Sequence, residues 1–367
     1  MALTAEQRAY LAAHRAEAQA ALLRWFAAHA RDLPWRHDRT PYRVWVSEVM
    51  LQQTQVETVR DYFRRFMARF PTVEALAAAS QEEVLKVWEG LGYYRRARML
   101  HAAAQEVVAQ HGGTLPAEVE ALEALPGIGP YTGGAIASLA FGVPAPAVDG
   151  NVRRVMARLL AQARPTPAEQ RAAVAALLPD EDPGAFNEAL IELGATLCRP
   201  QQPRCLLCPW REFCRARRLG RQDDFPAPRA RKEIPHYDVA AAVTVRDGKV
   251  LIARRPAEAM LGGLWEFPGG KRQDGETLPG ALRRELREEM AITVDVGEPL
   301  LTLDHGYTHF RITLHAFWCR LVEGKPRCIE CAGFAWAAPG ALDDYPMAVT
   351  DRQIADRVLA GLEDDAL

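Results

Sequence analysis

Neither a signal peptide nor a membrane-spanning segment is predicted for this chain of 367 residues, because charged residues interrupt every apolar stretch of its N-terminal region. We therefore expect a cytoplasmic protein that does not enter a membrane. The net charge is only −2, so charge alone does not indicate nucleic acid as a partner. The 49% of hydrophobic and 25% of charged residues are typical of a globular protein, and the length predicts two to three domains.

A disulfide framework is also not expected. The chain has seven cysteines, an odd number, and no export signal. Cys328 and Cys331 form a C-x2-C pair that resembles half of a metal site, but a complete site would need Cys319 or a histidine such as His305 as well. We therefore expect ordinary thiols at Cys328 and Cys331.

Residues 1–219 have apolar side chains every three or four positions, with proline or glycine between the segments, which predicts an all-α domain. Thr40 and Pro41 have the features of an N-cap and a first helical position. Further helical segments are predicted at 73–88, 94–110, 131–141, 151–162 and 184–197.

The pattern changes after residue 219. Residues 220–236 are charged and contain proline, as expected of an interdomain linker. Residues 237–367 contain a hairpin pattern around Asp247-Gly248, a helical stretch at TLPGALRRELREEM and strand-like alternation after it. The second domain is therefore predicted to be α+β.

The stretch LPGIGPYTGGAI, from Leu125 to Ile136, places a glycine-rich turn before a helical segment. Such a turn points backbone N–H groups outward, where they can hold an anion. No strand precedes it and no Gly-Lys-Ser/Thr follows, which excludes a P-loop. Helices on both sides make a helix–hairpin–helix, whose usual partner is the DNA backbone, with Gly127 and Gly129 at the contact. A plain turn between core helices is the alternative.

Cys198, Cys205, Cys208 and Cys214 have the spacing C-x6-C-x2-C-x5-C. Four neighbouring thiolates suit Zn²⁺ or an iron–sulfur cluster, and the spacing alone does not decide between them. With the hairpin and a downstream aspartate, this spacing resembles the endonuclease III class of DNA base-excision enzymes. The resemblance implies that the loop 198–214 holds a [4Fe–4S] cluster with a structural, DNA-contacting role.

Base excision needs a proton donor for the leaving base and a negative charge beside the sugar cation, and two carboxyl groups meet the same needs in glycoside hydrolysis. Glu48 shares a predicted helix face with Val44 and Leu51, where desolvation would raise its pKa. A glutamate that reaches solvent or caps another helix is the alternative. Asp149 precedes a helix, which by itself indicates an N-cap. The resemblance implies a catalytic role for Asp149, and the two roles can coexist.

Tyr131 follows the hairpin directly. In the endonuclease III class, enzymes that also cut the DNA strand have a lysine at this position, which forms a Schiff base with the sugar. A phenol cannot form an imine, and no lysine occurs between Lys86 and Lys232. We therefore expect base removal without strand cleavage.

Several segments, together with the cysteine loop and the second domain, resemble the adenine DNA glycosylase (MutY) family over nearly the whole chain. They are SEVMLQQTQV, GLGYYRRAR, LPGIGPYTGGAI, VDGNVRRV and FNEALIELGA. The resemblance implies removal of adenine mispaired with 8-oxoguanine or guanine in double-stranded DNA. It also implies a monomer that associates with the nucleoid when it is bound to DNA.

The same resemblance implies roles for individual residues. Glu48 would protonate adenine N7, and Asp149 would stabilise the sugar cation with support from Tyr131 and Asn151. Extrusion of the adenine costs about a few kcal/mol. The residues implied around the flipped adenine are Trp35, Arg36 and Glu188, and those implied on the 8-oxoguanine side are Gln53, Leu91 and Tyr93, with Tyr94 expected in the core.

The second domain contains a Nudix box that begins at Gly270. Its glutamates Glu285, Glu288 and Glu289 share one helix face, which suits Mg²⁺ beside a diphosphate. Ala291 stands where the box has glycine, and alanine there would cost ~1 kcal/mol if the residue is left-handed.

In the family this domain usually recognises 8-oxoguanine instead of hydrolysing nucleotides. The family's Phe-Ser-His loop corresponds here to Tyr307-Thr308-His309, and Thr308 keeps the hydroxyl. We therefore expect Thr308 and His309 to contact the lesion. The alternatives are a glycosylase for another mismatched base, a Nudix pyrophosphohydrolase tethered to a DNA-binding domain, and a binding protein without chemistry.

Overall fold

The computed structural model of the protein describes residues 3–228 and 233–364, so residues 229–232 of the predicted linker lie outside the described part. The chain forms two compact units, Met1–Ala78 with Ala102–Ala230 and Ala79–His101 with Arg231–Leu367. The segment Ala79–His101 lies within the predicted domain 1–219 but groups with the second unit. No helix in the described part is long and apolar enough to cross a membrane.

The N-terminal part of the chain is helical, as the periodicity predicts. Thr40 caps α2 by accepting a hydrogen bond from Arg43 N at 3.4 Å, and Pro41 is the first residue of that helix. The helices are α1 (Ala5–His29), α2 (Pro41–Leu51), α3 (Val56–Arg69), α4 (Val73–Ala78), α5 (Gln81–Trp88), α6 (Arg95–His111), α7 (Val119–Ala124), α8 (Pro130–Phe141), α9 (Gly150–Leu159), α10 (Pro167–Leu177), α11 (Pro183–Thr196) and α12 (Arg215–Arg218).

The predicted helix 73–88 is wrong as a single element, because α4 and α5 are separate helices. Ser80 accepts a hydrogen bond from Glu83 N at 3.2 Å, and Glu83 Oε2 accepts one from Ser80 N at 2.9 Å. This reciprocal capping box begins a new helix within the apolar periodicity.

The core of the first unit lies between α1, α9, α10 and α11. Leu22, Phe186 and Leu190 are fully buried in it. Trp210, just beyond the third cysteine of the loop, is also buried there and donates to Ala18 O at 2.9 Å. Burial of these large side chains fixes α11, which contains Glu188, and anchors the cysteine loop.

The second unit contains a mixed sheet with a helix-bearing core on each face, which confirms the α+β prediction. The strand order is β3-β2-β1-β6-β5, with β4 paired to β1 and β7 to β2, and only the β1–β6 pair is parallel among the described strands. The elements are β1 (His236–Arg246), β2 (Lys249–Arg254), β3 (Trp265–Glu266), β4 (Gly269–Lys271), α13 (Leu278–Met290), β5 (Thr293–Gly306), β6 (Arg311–Glu323), β7 (Gly333–Ala337) and α14 (Val349–Asp364).

Period-two alternation assigns the two sheet faces. Ala240 and Ala242 pack with Leu282 and Leu286 of α13, whereas Ala241 and Val243 belong to the core that contains Ile354 of α14. The predicted hairpin turn is present between β1 and β2. Asp247 and Gly248 have φ values of 51° and 69°, and two left-handed residues in sequence are typical of a tight two-residue hairpin.

Candidate active site

A cavity of about 620 Å³ opens in the first unit, between α2, α8, α9 and α11. It brings together every residue that the sequence suggested for catalysis or for the adenine pocket. These residues are Trp35, Arg36, Glu48, Tyr131, Asp149, Asn151 and Glu188. Gln53 and Gly129, suggested as DNA contacts, also line it. No lysine lines this cavity within the described residues.

Glu48 lies on α2 and has only 8% of its surface exposed. Loss of solvent raises the pKa of its carboxyl to about 7, against the opposing effect of a hydrogen bond from Tyr131. The negative charges of Glu188 and Asp149 raise this pKa further, while Arg36 lowers it. A carboxyl group with this pKa carries a proton in a large fraction of molecules near neutral pH and can donate it.

Tyr131 is the second residue of α8, immediately after the glycine hairpin. Its hydroxyl donates to Glu48 Oε2 at 2.5 Å. The support of Asp149 by Tyr131 stays a prediction, and the structure adds a hydrogen bond from the phenol to Glu48, which the packing of α8 against α2 makes possible. Burial raises the pKa of Tyr131 well above its ordinary value, so the phenol stays neutral and donates.

Asp149 is the N-cap of α9 and also faces the cavity. Its Oδ1 accepts a hydrogen bond from Val152 N at 2.7 Å, and its Oδ2 accepts one from Asn151 Nδ2 at 2.9 Å. Burial raises the pKa of the carboxyl, and these two hydrogen bonds act in the opposite direction. The side chain is thus held in one orientation by its own helix while it lines the cavity.

An ion-pair network forms the wall of the cavity next to α11. Arg36 Nε bonds to Glu188 Oε1 at 3.1 Å, and its Nη2 bonds to Glu192 Oε2 at 3.0 Å. Arg31 Nε donates to Glu192 Oε1 at 2.6 Å, and Arg39 pairs with Glu188 Oε2 at 2.5 Å. Burial raises the pKa of Glu192, but the hydrogen bonds and charges of Arg31 and Arg36 outweigh this effect and lower the pKa below its ordinary value.

Glu192, Arg31 and Arg39 were missed by the sequence reasoning. One signal was available for Glu192, which follows Glu188 by four residues and therefore lies on the same face of α11. Arg36 is held between two carboxylates, and charge-assisted hydrogen bonds of this kind fix the orientation of a guanidinium group.

Trp35 is buried at 6% exposure and packs edge-on against Phe63, with the ring centroids 5.7 Å apart.

The glycine hairpin leads directly into α8. Gly127 has a φ of 77°, a left-handed conformation that glycine adopts without strain. Ile128, only 5% exposed, anchors the turn in the core. Gly129 is the N-cap of α8, and a Cβ atom there would meet nothing within 4 Å. The turn therefore presents bare backbone at a helix N-terminus, where an anionic group can approach closely.

The four cysteines of the loop are free thiols. Burial raises the pKa of Cys208 to about 12, and the other three sulfurs add to the effect. Buried Arg158 donates to Cys198 Sγ at 3.4 Å. The raised pKa keeps the thiol of Cys208 protonated by itself, whereas a bound cluster would deprotonate it, and the buried cation Arg158 beside Cys198 suits such a thiolate. Within residues 3–228 and 233–364, however, no three histidine, cysteine or acidic side chains have a geometry that holds a metal ion.

The Nudix glutamates of α13 are engaged by an arginine of the same box. Arg284 bonds to Glu276 at 2.8 and 3.0 Å, to Glu285 at 2.9 Å and to Glu288 at 3.0 Å. Burial, with the nearby charge of Glu266, raises the pKa of Glu289 to about 8. The structure thus gives no support for Mg²⁺ at these residues. Ala291 has the left-handed conformation considered for it, with φ 55° and ψ 36°.

The residues suggested for the lesion side differ in exposure. Tyr93 is 45% exposed with a φ of 49°, and its hydroxyl lies 2.8 Å from Thr308 Oγ1. Both residues belong to the second unit, and His309 is exposed there as well. Leu91 is buried at 5% exposure, and so is Tyr94, whose hydroxyl donates to Met347 O at 3.2 Å.

The comparisons with known proteins match both units. Residues 46–180 match the model of the HhH-GPD superfamily of base excision DNA repair proteins, and residues 239–357 match the NUDIX domain model. Adenine DNA glycosylase from Homo sapiens is 36% identical over 376 residues, which cover 86% of this chain and 69% of that protein. The enzyme of the same name from Mycolicibacterium smegmatis is 43% identical over 220 residues, covering 59% and 73% of the respective chains.

A solved structure supports the fold of the helical part. A thermostable thymine-DNA glycosylase superposes with a TM-score of 0.52 at 29% identity, over 56% of this chain and 97% of the other. A non-covalent complex of endonuclease III with DNA gives a TM-score of 0.50 at 24% identity and covers 57% and 97%. At that identity the second likeness concerns the fold alone.

Proposed function

The chain belongs to the adenine DNA glycosylase family, and from this premise we propose that it removes adenine mispaired with 8-oxoguanine or guanine and leaves the DNA strand uncut. The observation that carries the proposal is a buried carboxyl with a pKa of about 7, Glu48, in the same cavity as the ionisable Asp149. Two carboxyl groups in different environments are what acid-assisted departure of a base requires.

Glu48 acts as the acid. A proton on its carboxyl passes to N7 of adenine, which makes the neutral base a better leaving group. Tyr131 donates to Oε2 of Glu48, so it orients the carboxyl and stabilises the carboxylate that remains after transfer. The pKa of about 7 lets Glu48 be reprotonated between turnovers at neutral pH.

Asp149 acts on the sugar. As the bond to the base breaks, positive charge develops on the sugar carbon, and an ionised carboxylate beside it stabilises the cation. The hydrogen bonds from Val152 N and Asn151 Nδ2 favour the ionised form and hold it in place. Trp35, Arg36 and Glu188 line the space that the extruded adenine would occupy.

Strand cleavage by Schiff-base chemistry needs an amine at the sugar. The residue after the hairpin is Tyr131, whose hydroxyl is committed to Glu48, and the described lining of the cavity includes no lysine. These two observations support base removal without lyase chemistry.

The second unit reads the base opposite the adenine. Tyr93 has a left-handed backbone conformation and an exposed ring, and its hydroxyl lies 2.8 Å from Oγ1 of Thr308. An exposed aromatic ring can stack on a base, and a hydroxyl can both donate and accept at 8-oxoguanine.

Cys198, Cys205, Cys208 and Cys214 would hold a [4Fe–4S] cluster, which supplies structural cross-linking of the loop and a surface for the DNA backbone. Arg158 donates to Cys198 Sγ and to Arg199 O at 2.7 Å. It therefore fixes the start of the loop and offsets thiolate charge.

The test uses a duplex with one adenine opposite 8-oxoguanine, labelled on the adenine strand, with guanine and thymine opposite adenine as comparison duplexes. Each reaction is divided, and one half is treated with alkali. A break only in the alkali-treated half is expected for the 8-oxoguanine and guanine duplexes, and no break is expected opposite thymine or with Glu48→Gln. A break in both halves would refute the absence of strand cleavage.

No break in either half would refute adenine as the substrate. A duplex with mismatched thymine would then test the rival glycosylase activity. Release of pyrophosphate from nucleoside triphosphates with Mg²⁺, unchanged in Glu48→Gln, would instead favour a Nudix hydrolase.

A further inference from the structure

The connection between β6 and β7 contains a C-x2-C pair that the proposed function does not use. The structure joins the Sγ atoms of Cys328 and Cys331 in a disulfide, so the expectation of ordinary thiols at these positions is wrong. The physical reason is proximity, because a tight turn brings their Cα atoms to 4.9 Å, within the range that a disulfide spans. We call Cys328–Cys331 the CIEC turn.

The CIEC turn is accessible from solvent at one end and anchored at the other. Cys328 is exposed, and Ile329 between the cysteines has 58% of its surface exposed. Cys331 is partly buried and packs against the apolar cluster that includes Leu286 and Met290 of α13. A small-molecule oxidant can therefore reach Cys328 first, while Cys331 is held beside it.

The turn caps the C-terminal end of α13 through the backbone. Ile329 N donates to Glu289 O at 3.0 Å, Glu330 N to the same carbonyl at 3.4 Å, and the preceding Arg327 N to Met290 O at 3.0 Å. The last carbonyl groups of a helix have no partner within the helix. The CIEC turn and the residue before it supply N–H partners for these carbonyl groups. The helix ends at Ala291, which has a left-handed conformation that favours glycine.

We propose that Cys328 and Cys331 are a redox-modification site that low-molecular-weight disulfides convert from dithiol to disulfide, and that the bond braces the C-terminal end of α13. The thiolate of Cys328 attacks a disulfide RS–SR, forms a mixed disulfide and releases RS⁻. The thiolate of Cys331 then attacks Cys328 Sγ, forms the intramolecular bond and releases the second RS⁻. The two cysteine protons pass to the two RS⁻ groups, so two thiols are oxidised and one external disulfide is reduced.

The bond has a local consequence. It closes a four-residue loop and removes backbone conformations in which Ile329 and Glu330 leave the carbonyl of Glu289. The chain-entropy relation for so short a loop predicts that opening of the turn is roughly twentyfold less frequent in the oxidised protein. The site acts in the second unit and does not depend on the proposed excision chemistry.

The experiment uses the full chain, equilibrated with reduced or oxidised glutathione and then divided. One part is alkylated and digested, so that peptide masses give the thiol state of Cys328 and Cys331 separately from that of the four loop cysteines. The other part is used for amide hydrogen exchange. We expect both thiols to be protected in oxidised glutathione, and the amides of Arg327, Ile329 and Glu330 to exchange about twentyfold more slowly than in the reduced protein.

The doubly substituted C328S/C331S variant serves as a chain that cannot form the disulfide. Its exchange should match that of the reduced protein at every glutathione ratio, whereas Cys319→Ala, which removes a buried unpaired cysteine, should respond to glutathione as the wild type does. Alkylation of both thiols at all ratios would overturn the modification site. Oxidation without any change in exchange at residues 327–330 would overturn the brace.

Discussion

Replacing Tyr131 with phenylalanine removes the hydroxyl that donates to Glu48 Oε2 at 2.5 Å and leaves the ring in place. The hydrogen bond favours the ionised carboxylate and therefore lowers the pKa of Glu48, which burial otherwise raises to about 7. Without the hydroxyl, this pKa should rise. Since the proposed acid must carry a proton, the decline of excision with increasing pH should move to higher pH in the variant.

The size of the change follows from the contact. A hydrogen bond to a charged group contributes about 1.5–3 kcal/mol, and one pKa unit corresponds to about 1.4 kcal/mol. Glu48 is buried, so solvent screens the bond little. We therefore expect the midpoint to rise by about one to two pH units from its wild-type value near 7. Because the charges of Asp149 and Glu188 also act on Glu48, the midpoint belongs to the coupled group.

The assay is single-turnover excision of adenine opposite 8-oxoguanine across the pH range in which the protein stays folded. The plateau at low pH should fall as well, since the carboxyl loses an orienting partner. Tyr94→Phe is the matched control, because Tyr94 donates to Met347 O and lies outside the cavity lining; its midpoint should equal that of the wild type. An unchanged or lower midpoint in Tyr131→Phe would refute the assignment of Glu48 as the acid tuned by Tyr131.

Three further changes test other parts of the structure. Glu48→Gln should abolish excision and increase the free energy of unfolding at pH 8 by at most about 3 kcal/mol. The reason for the gain is that a carboxyl whose pKa rises from 4.5 to about 7 on folding destabilises the fold as pH increases through that window. Denaturant unfolding that shows no gain in stability at pH 8 would contradict the burial argument. Asp149→Asn should lower excision by at least about 100-fold. It should change the free energy of unfolding by less than ~0.5 kcal/mol, because asparagine caps a helix as well as aspartate does. A large loss of stability would indicate that the role of Asp149 is structural. Ala291→Gly should stabilise the second unit by ~1 kcal/mol, because the residue has a φ of 55°; unchanged thermal unfolding of that unit would show that the left-handed turn is not strained.

Local features of the molecule were predictable where neighbouring residues encode them. Thr40 and Pro41 begin α2, Asp247-Gly248 turns the first hairpin, and Ala291 adopts the left-handed conformation that its place in the Nudix box indicates. The division of 73–88 at Ser80 was missed although Glu83 completes a capping box there. There the local capping box interrupts the helix although the apolar periodicity continues across it.

Contacts between distant residues were not predictable in the same way. The sequence suggests that Tyr131 supports Asp149, but it does not indicate the hydrogen bond from Tyr131 to Glu48, 83 positions away in the sequence. Arg31 and Glu192 are 161 positions apart and form a bidentate pair that no spacing rule suggests. The sequence predicts separate thiols at Cys328 and Cys331, because it does not show that their turn is tight enough to join them.

By itself, the sequence determined the helical and α+β halves, the glycine hairpin, the four-cysteine spacing and Glu48 as a candidate acid. These depend on residue type and short spacing, which backbone sterics and hydrogen bonding convert into local structure. The catalytic role of Asp149 and the pocket residues Trp35, Arg36 and Glu188 were implied only by the family resemblance of the motifs. Only the tertiary structure decided that Glu48 is buried against Tyr131, that Arg36 lies between two glutamates, and that Ala79–His101 groups with the second unit. Those outcomes depend on which helices pack together, because the pKa of a carboxyl is set by the solvent it loses and the groups that replace it.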